Sequence, residues 1–320
     1  MIRTVLGDVA PETLGATNYH EHLFQVSPLL PGDELDDEQA STREAAALRD
    51  SGFAAMVDAT PLGLGRDAEA IARASATTGL RVVATTGRHR EAHYAASHPL
   101  REWGMARLTE RLVADVRDGM PRDEPAVLRG DHSAVAASPS GPPVRAGLLK
   151  AGIDYWRISP FEHETLDAVA AAHVATGAAV MVHLEFCTAA HEVLDLLADG
   201  GVAPHRVVLA HADRDPDPGL HAELAARGAY LGYDGFARPR TRSDAELLEL
   251  AERVVALGAV GRVVLGGDVA RRTRYVAYGG MPGLAYLGER YLPRLRERLG
   301  EEIVASMLTA NPARLLDLPG

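Results

Sequence analysis

The chain has 320 residues, 47% hydrophobic and 24% charged, and a formal net charge of −11 at pH 7. That apolar content suffices for a large core, and the acidic balance argues against non-specific binding to nucleic acid or anionic membranes. Cys187 is the only cysteine, no run nears the ~20 apolar residues of a membrane span, and Met1–Asp8 lacks the pattern of a secretory leader, so no disulfide and a cytoplasmic location are expected.

In chain order, residues 1–16 are expected to form a small capping element. Eight short apolar runs follow, at about 17–24, 53–60, 80–87, 144–150, 179–185, 206–212, 229–235 and 262–268. Several are unbroken, such as Ala179-Val180-Met181-Val182-His183. Continuous apolar strands suit a parallel sheet covered on both faces. Helical patterns rich in Ala, Leu, Glu and Arg lie between the runs, at 66–78, 160–177, 188–199 and 243–257. Ser159-Pro160-Phe161-Glu162 reads as an N-cap, a proline at the first helical position and an early acid. Gly177, Gly200 and Gly228 sit where helices should stop. The stretch 120–143, rich in Pro, Gly, Ser and Ala, reads as a loop before the fourth strand. Eight strands alternating with helices predict an α/β fold, a (β/α)8 TIM barrel forming a single domain over residues 1–320. The competing arrangement is a doubly wound open sheet.

Several runs end in residues that bind metals. His20 and His22 flank Glu21 at the end of the first run, and residues i and i+2 of a strand face the same way. His183, His211 and Asp268 each close a later run. In a closed barrel these ends meet at the C-terminal rim. Four imidazoles and one carboxylate suit Zn²⁺, and also Mn²⁺ or Co²⁺. For His-x-His in isolation, two buried, hydrogen-bonded histidines are the plainer reading. Lys150 closes the fourth run. Protonated, it would be repelled by cations. Neutral, its amine can add carbon dioxide and become a carbamate with two oxygens, able to bridge two metals. On spacing alone the plainer reading is favoured, a lysine that snorkels to solvent or pairs with an acid.

Other signals carry less. Gly63-Leu64-Gly65 only loosely imitates a dinucleotide fingerprint and follows the second strand. Asp213-Arg214-Asp215-Pro216-Asp217 has Pro218 and Leu224 where a calcium loop needs Gly and Glu. No Gly-x-Ser-x-Gly is present, and Cys187 has no evident base partner. His89, His93 and Tyr94 follow the third strand and read equally as pocket lining or surface loop. Trp156, after the fourth, reads as pocket wall or core.

Gly15-Ala16-Thr17-Asn18-Tyr19-His20-Glu21-His22-Leu23 resembles the first-strand signature of the phosphotriesterase family of the amidohydrolase superfamily. The resemblance continues through Arg145-Ala146-Gly147-Leu148-Leu149-Lys150, Val182-His183, Ala210-His211-Ala212-Asp213 and Gly266-Gly267-Asp268 to Asn311-Pro312-Ala313-Arg314. It implies the barrel and a homodimer. It implies that His20, His22 and Asp268 hold a more buried divalent metal, and His183 and His211 a more exposed one. Lys150, as a carbamate, would bridge the two together with a hydroxide. Asp268 would accept that hydroxide's proton, which makes Lys150 and Asp268 the catalytic residues.

Members of the family cleave organophosphate triesters, acyl-homoserine lactones and lactones of phosphorylated sugars. Arg238-Pro239-Arg240-Thr241-Arg242 follows the seventh strand and Arg271-Arg272-Thr273-Arg274 the eighth, where barrels often bind phosphate. Arginine suits that role through paired hydrogen bonds. The plain alternative has these arginines solvated or paired with Asp213, Asp215, Asp217, Asp244 and Glu246. Arg271-Arg272 and Tyr278-Gly279-Gly280 also resemble the branch that opens sugar-lactone phosphates, although that branch would have a lysine near Arg240 and a tyrosine near Arg274. The expectation is a hydrolase, with two divalent metals, that opens the lactone of an anionic, phosphorylated sugar. Arg240, Arg271, Arg272, Arg274 and Tyr278 would contact substrate. The alternatives are a phosphotriesterase, an acyl-homoserine lactonase, or a non-catalytic binding protein on the same barrel.

Overall fold

The apolar runs become strands because each is buried on both faces. The computed structural model describes residues 1–319. A hairpin of β1 (Ile2–Thr4) and β2 (Gly7–Val9) precedes eight strands, β3 (Thr17–Glu21), β4 (Ala55–Asp58), β5 (Arg81–Gly87), β6 (Ala146–Ile153), β7 (Ala179–Leu184), β8 (Val207–Ala210), β9 (Tyr230–Tyr233) and β10 (Val263–Leu265). From β3 to β10, each pairs in parallel with its sequence neighbours. The ring shuts just beyond β10, where the N–H groups of Gly267 and Asp268 both donate to the carbonyl of His20, at 3.2 and 2.9 Å. The fold is therefore the (β/α)8 barrel and not the open sheet.

Side chains alternate along each strand. Tyr19, Ala55, Val57, Val83, Leu148, Ala179, Met181, Val208, Tyr230 and Val264 fill the barrel interior. Met56, Val82, Leu149, Val180, Val207 and Leu231 point outward into the layer beneath the helices. Ile2, Leu14, Leu315 and Leu316 join the interior set and floor the barrel. Val5 N–H donates to Val82 O at the start of β5, so residues 1–16 form a cap on the N-terminal end, opposite the rim.

The helices are α1 (Glu38–Asp50), α2 (Ala68–Thr78), α3 (Met105–Arg117), α4 (Glu124–Arg129), α5 (Pro160–Thr176), α6 (Ala190–Asp199), α7 (Pro218–Ala226), α8 (Asp244–Ala256), α9 (Leu292–Leu299), α10 (Glu301–Leu308) and α11 (Ala310–Leu316). The start of α5 is a reciprocal capping box: Ser159 Oγ accepts from Glu162 N–H, and the Glu162 carboxylate accepts from Ser159 N–H. Gly177 ends α5 at φ 74°, a left-handed cap that a side chain would strain. Among the described residues, no helix is long and apolar enough to cross a membrane.

The segment 120–143 differs from the expected loop. It contains α4, and Glu124 of that helix is buried, accepting from Gly63 N–H at 2.8 Å and from Arg66 Nε at 2.8 Å. Asp115 of α3 is the second carboxylate on Arg66, at 3.1 Å. A buried guanidinium needs such partners. α4 has six residues and a proline in its first turn, too short for a periodic pattern to reveal it.

Candidate metal centre

The six proposed ligands converge on the C-terminal rim. His20, His22, Lys150, His183, His211 and Asp268 are all buried. Donor atoms of His20, His22 and Asp268 lie within 4.8 Å of one another, and so do those of His20, His211 and Asp234. His22 Nε2 and His20 Nε2 are each 3.7 Å from Asp268 Oδ1. His183 Nδ1 and His211 Nε2 are 2.8 Å apart. His211 and Asp268 leave their strands with φ of 63° and 42°. Left-handed backbone at a non-glycine residue costs about 1–2 kcal/mol, and here it turns both side chains into the mouth.

The hydrogen bonds fix which nitrogen of each histidine is free. His20 Nδ1 lies 3.0 Å from Asp234 Oδ2, and His211 Nδ1 2.6 Å from Asp234 Oδ1. A carboxylate only accepts, so both rings carry their proton on Nδ1. Thr60 Oγ1 donates to Phe24 O at 2.8 Å and so accepts from His22 Nδ1, at 2.7 Å. Glu185 Oε1 lies 2.9 Å from His183 Nε2. The nitrogens that face the mouth are therefore Nε2 of His20, His22 and His211, and Nδ1 of His183, the last two sharing one hydrogen at 2.8 Å. Each ring has an acceptor behind it, the arrangement expected of metal ligands, and an ion would take the place of the hydrogen between His183 and His211. Burial keeps the rings neutral: it lowers His211 to about 4 and holds His20, His22 and His183 below the usual value.

Lys150 is wholly buried, and its amine contacts only His20 Nε2 at 3.4 Å and Met181 Sδ at 3.3 Å. Among the described residues, no carboxylate pairs with it. Burial pulls its pKa down to about 8, although Asp268, Asp234 and Asp58 oppose the fall. A buried amine with weak neutral partners and no counter-charge is one that a negative group would satisfy. Asp268 differs. Burial alone would raise it, but Arg238, 2.7 Å from Oδ2, holds its carboxyl well below the usual range, and Arg214 approaches the same oxygen at 3.5 Å. The inward-facing imidazole nitrogens, the carboxylate and the amine without a counter-charge fit a divalent metal centre.

Glu21 lies between two ligands but faces away from them. Its carboxylate accepts from Asn18 Nδ2 at 3.1 Å and Val269 N–H at 3.0 Å, and burial raises it to about 8. A Cβ on Gly267 would overlap Glu21 Oε1, so the turn carrying Asp268 packs directly on this carboxylate.

The cleft over these residues has a volume of about 320 Å³ and is lined by His89, His93, Gln25, Arg90, Glu185, Arg214, Arg238 and Arg271 besides the ligands. A second recess, about 790 Å³, shares Arg214, Arg238 and Arg271 with it and adds Arg240 and Arg274. Of the expected substrate residues, Arg240, Arg271 and Arg274 thus line the recess. Arg272 and Tyr278 lie elsewhere. Arg272 pairs with Asp36 at 3.0 Å, and the Tyr278 hydroxyl bonds the Asp37 backbone and Ser41. Nor do all of the suggested acidic partners hold arginines back: among the described residues, neither Arg240 nor Arg274 pairs with a carboxylate. Trp156 is 70% exposed and outside the cleft. Cys187 is buried, which raises its thiol to about 12.

Asp234, Glu185 and Thr60 were not singled out from the sequence. Asp234 ends the run Tyr230-Leu231-Gly232-Tyr233 as Asp268 ends its own, so the same strand-end rule applied to β9 finds it.

The chain is similar in sequence and fold to known proteins. A model of the phosphotriesterase family matches residues 1–127 and 134–316. A phospho-furanose lactonase from Mycoplasmopsis synoviae (strain 53) is 29% identical, with 98% of this chain and 91% of that one aligned. The crystal structure of a lactonase from Listeria monocytogenes superposes with a TM-score of 0.86 at 28% identity, covering 100% of this chain and 99% of that one. A phosphotriesterase homology protein from Escherichia coli, complexed with phosphate in its active site, superposes with a TM-score of 0.83 at 25% identity, covering 97% of this chain and 100% of that one. With the match running through every ligand-bearing strand, the chain belongs to the phosphotriesterase family and is a hydrolase acting on ester bonds.

Proposed function

We propose that this chain opens the ring of a phosphorylated sugar lactone. The observation that carries the reading is the arginine recess, which shares three residues with the metal cleft and is lined by five arginines: Arg214 and Arg238 pair with Asp268 and Arg271 with Asp33, while Arg240 and Arg274 pair with no carboxylate among the described residues. In a protein of net charge −11 this is a local field suited to a phosphate. The phospho-furanose lactonase relative and the phosphate held by the Escherichia coli relative support it. Among the described residues the aliphatic side chains of the cleft are Leu29, Leu30 and Ala270, less than a long acyl chain needs, which disfavours an acyl-homoserine lactone.

In this reading His20, His22 and Asp268 hold one divalent metal and His183 and His211 a second, with zinc the expected ion and a Lys150 carbamate between them. Bound there, the metals supply Lewis acidity, lowering the pKa of water and polarising an ester carbonyl. The chain's own residues do the rest. Arg240, Arg271 and Arg274 grip the phosphate and fix the ring over the cleft. Asp234 and Glu185 hold the imidazoles in one tautomer. The Asp268 carboxylate, held in place by Arg238, takes the proton from the attacking water and passes it to the departing ring oxygen as the C–O bond breaks.

The test is hydrolysis of a pentono-1,4-lactone with and without a 5-phosphate by metal-loaded protein, with a chelated control. A strong preference for the phosphorylated lactone, lost on chelation and reduced at least tenfold in Arg240→Met, is the expected result. Equal rates for the two lactones would remove the phosphate assignment.

A further inference from the structure

Two cleft histidines take no part in the ligand set. His89 and His93, on the loop after β5, stack with ring centroids 3.8 Å apart, and His89 lies 4.5 Å from His183. Their hydrogen bonds fix their protons. Arg90 N–H donates to His89 Nδ1 at 2.8 Å, so that nitrogen is an acceptor and the proton sits on Nε2. Ser27 Oγ, 2.9 Å from His93 Nδ1, already accepts from Leu29 N–H at 3.3 Å. Donating its own proton to Nδ1 satisfies both groups and leaves His93 protonated on Nε2 as well. Neither Nε2 has a partner within the protein among the described residues, and both rings line the cleft.

The loop is built to hold them still. The Tyr94 hydroxyl accepts from His89 N–H and donates to Leu62 O, both at 2.9 Å. Arg90 ties the loop to Asp154 at 2.9 Å and to Glu185 at 3.2 Å. In an eight-strand ring β5 stands opposite β9, so these donors face the loop of Arg238 and Arg240 across the mouth.

We infer that the Nε2–H groups of His89 and His93, with the Glu185 carboxylate as acceptor, bind the ring hydroxyls of a polyhydroxylated lactone whose phosphate lies in the arginine recess. The inference rests on the proposed function and adds a second recognition element to it. A hydroxyl both donates and accepts, so two fixed donors beside one acceptor match adjacent hydroxyls. A deoxy ring leaves those groups facing nothing.

The test is calorimetric binding of unreactive lactam analogues, the ring nitrogen replacing the ring oxygen. One is the dihydroxy-γ-lactam phosphate and the other its dideoxy counterpart. The expected result is roughly 10- to 100-fold tighter binding of the hydroxylated analogue by the wild type. His93→Phe should shrink that ratio several-fold, and His93→Gln, which keeps an N–H donor, should recover part of it. Equal affinity of the wild type for both analogues overturns the inference while leaving the proposed function standing. So does a ratio unchanged in His93→Phe. If neither analogue binds and the lactone phosphate is not opened, the proposed function fails and this inference falls with it.

Discussion

Lys150 shows how one buried group links stability to chemistry. In metal-free protein its pKa falls by burial from 10.5 to about 8, so between those values the folded chain binds fewer protons than the unfolded one. Stability should therefore climb as pH rises through that window, and below pH 8 the full handicap, about 3 kcal/mol, applies. Lys150→Met removes the amine at similar volume. In carbon-dioxide-free buffer with chelator, urea denaturation at pH 7 should show the variant more stable than wild type and without the alkaline rise. Coincident midpoints for the two proteins would refute this. Asp234 acts differently, as the acceptor for two imidazoles on opposite sides of the closing seam. Asp234→Asn must leave at least one Nδ1–H facing an amide donor or unpaired. Competition with a chelator should then show metal retained roughly 10- to 100-fold less tightly. Unaltered retention would mean that the carboxylate only packs. The convergence of the six proposed ligands was legible in the sequence because each closes an apolar run at the same end of a strand. Thr60 was not, because what marks it is a partner on the neighbouring strand, and Glu185 was not, because its bond to His183 two residues earlier depends on how the turn after β7 bends the chain.

At the scale of elements, the strands were legible because both faces are apolar, and α5 because its capping box is local in sequence. Ser159→Ala removes the acceptor for Glu162 N–H and should cost about 1 kcal/mol in thermal or urea unfolding, with kcat/KM unchanged at 25 °C, since α5 carries no cleft residue. α4 was hidden for the opposite reason: its six residues are held by a tertiary contact, Glu124 on Arg66. Glu124→Ala leaves Asp115 as the one carboxylate on a buried guanidinium, and a loss of about 3 kcal/mol is expected. A loss under 1 kcal/mol would show that α4 is held by its apolar contacts instead. Arg272 and Tyr278 carry the opposite lesson. They share a turn with residues of the recess, but the 3-10 geometry at Arg272–Arg274 and Val276–Tyr278 sends successive side chains to different sides, and Asp36 and Asp37 capture these two.

Over the whole molecule, charge is unevenly divided. A net −11 chain gathers five arginines about one mouth. Long-range attraction of an anionic substrate should appear as kcat/KM that falls as salt rises through the range where the screening length shrinks from about 30 to 8 Å, while an uncharged lactone responds little. A matched salt dependence for both would deny the field any role in capture. The seam of the barrel carries one more consequence. Asp234 on the seventh barrel strand reaches back to His20 on the first and His211 on the sixth, and the carbonyl of His20 takes the N–H groups of Gly267 and Asp268 that shut the ring. A chain cut before β9 has the four imidazoles and Lys150 but neither Asp268 nor Asp234, the acceptor that primes two of the imidazoles. Tight metal uptake would thus report assembly: a fragment ending before β9 should stay metal-poor, and adding the missing piece in trans should restore uptake only as the two halves join.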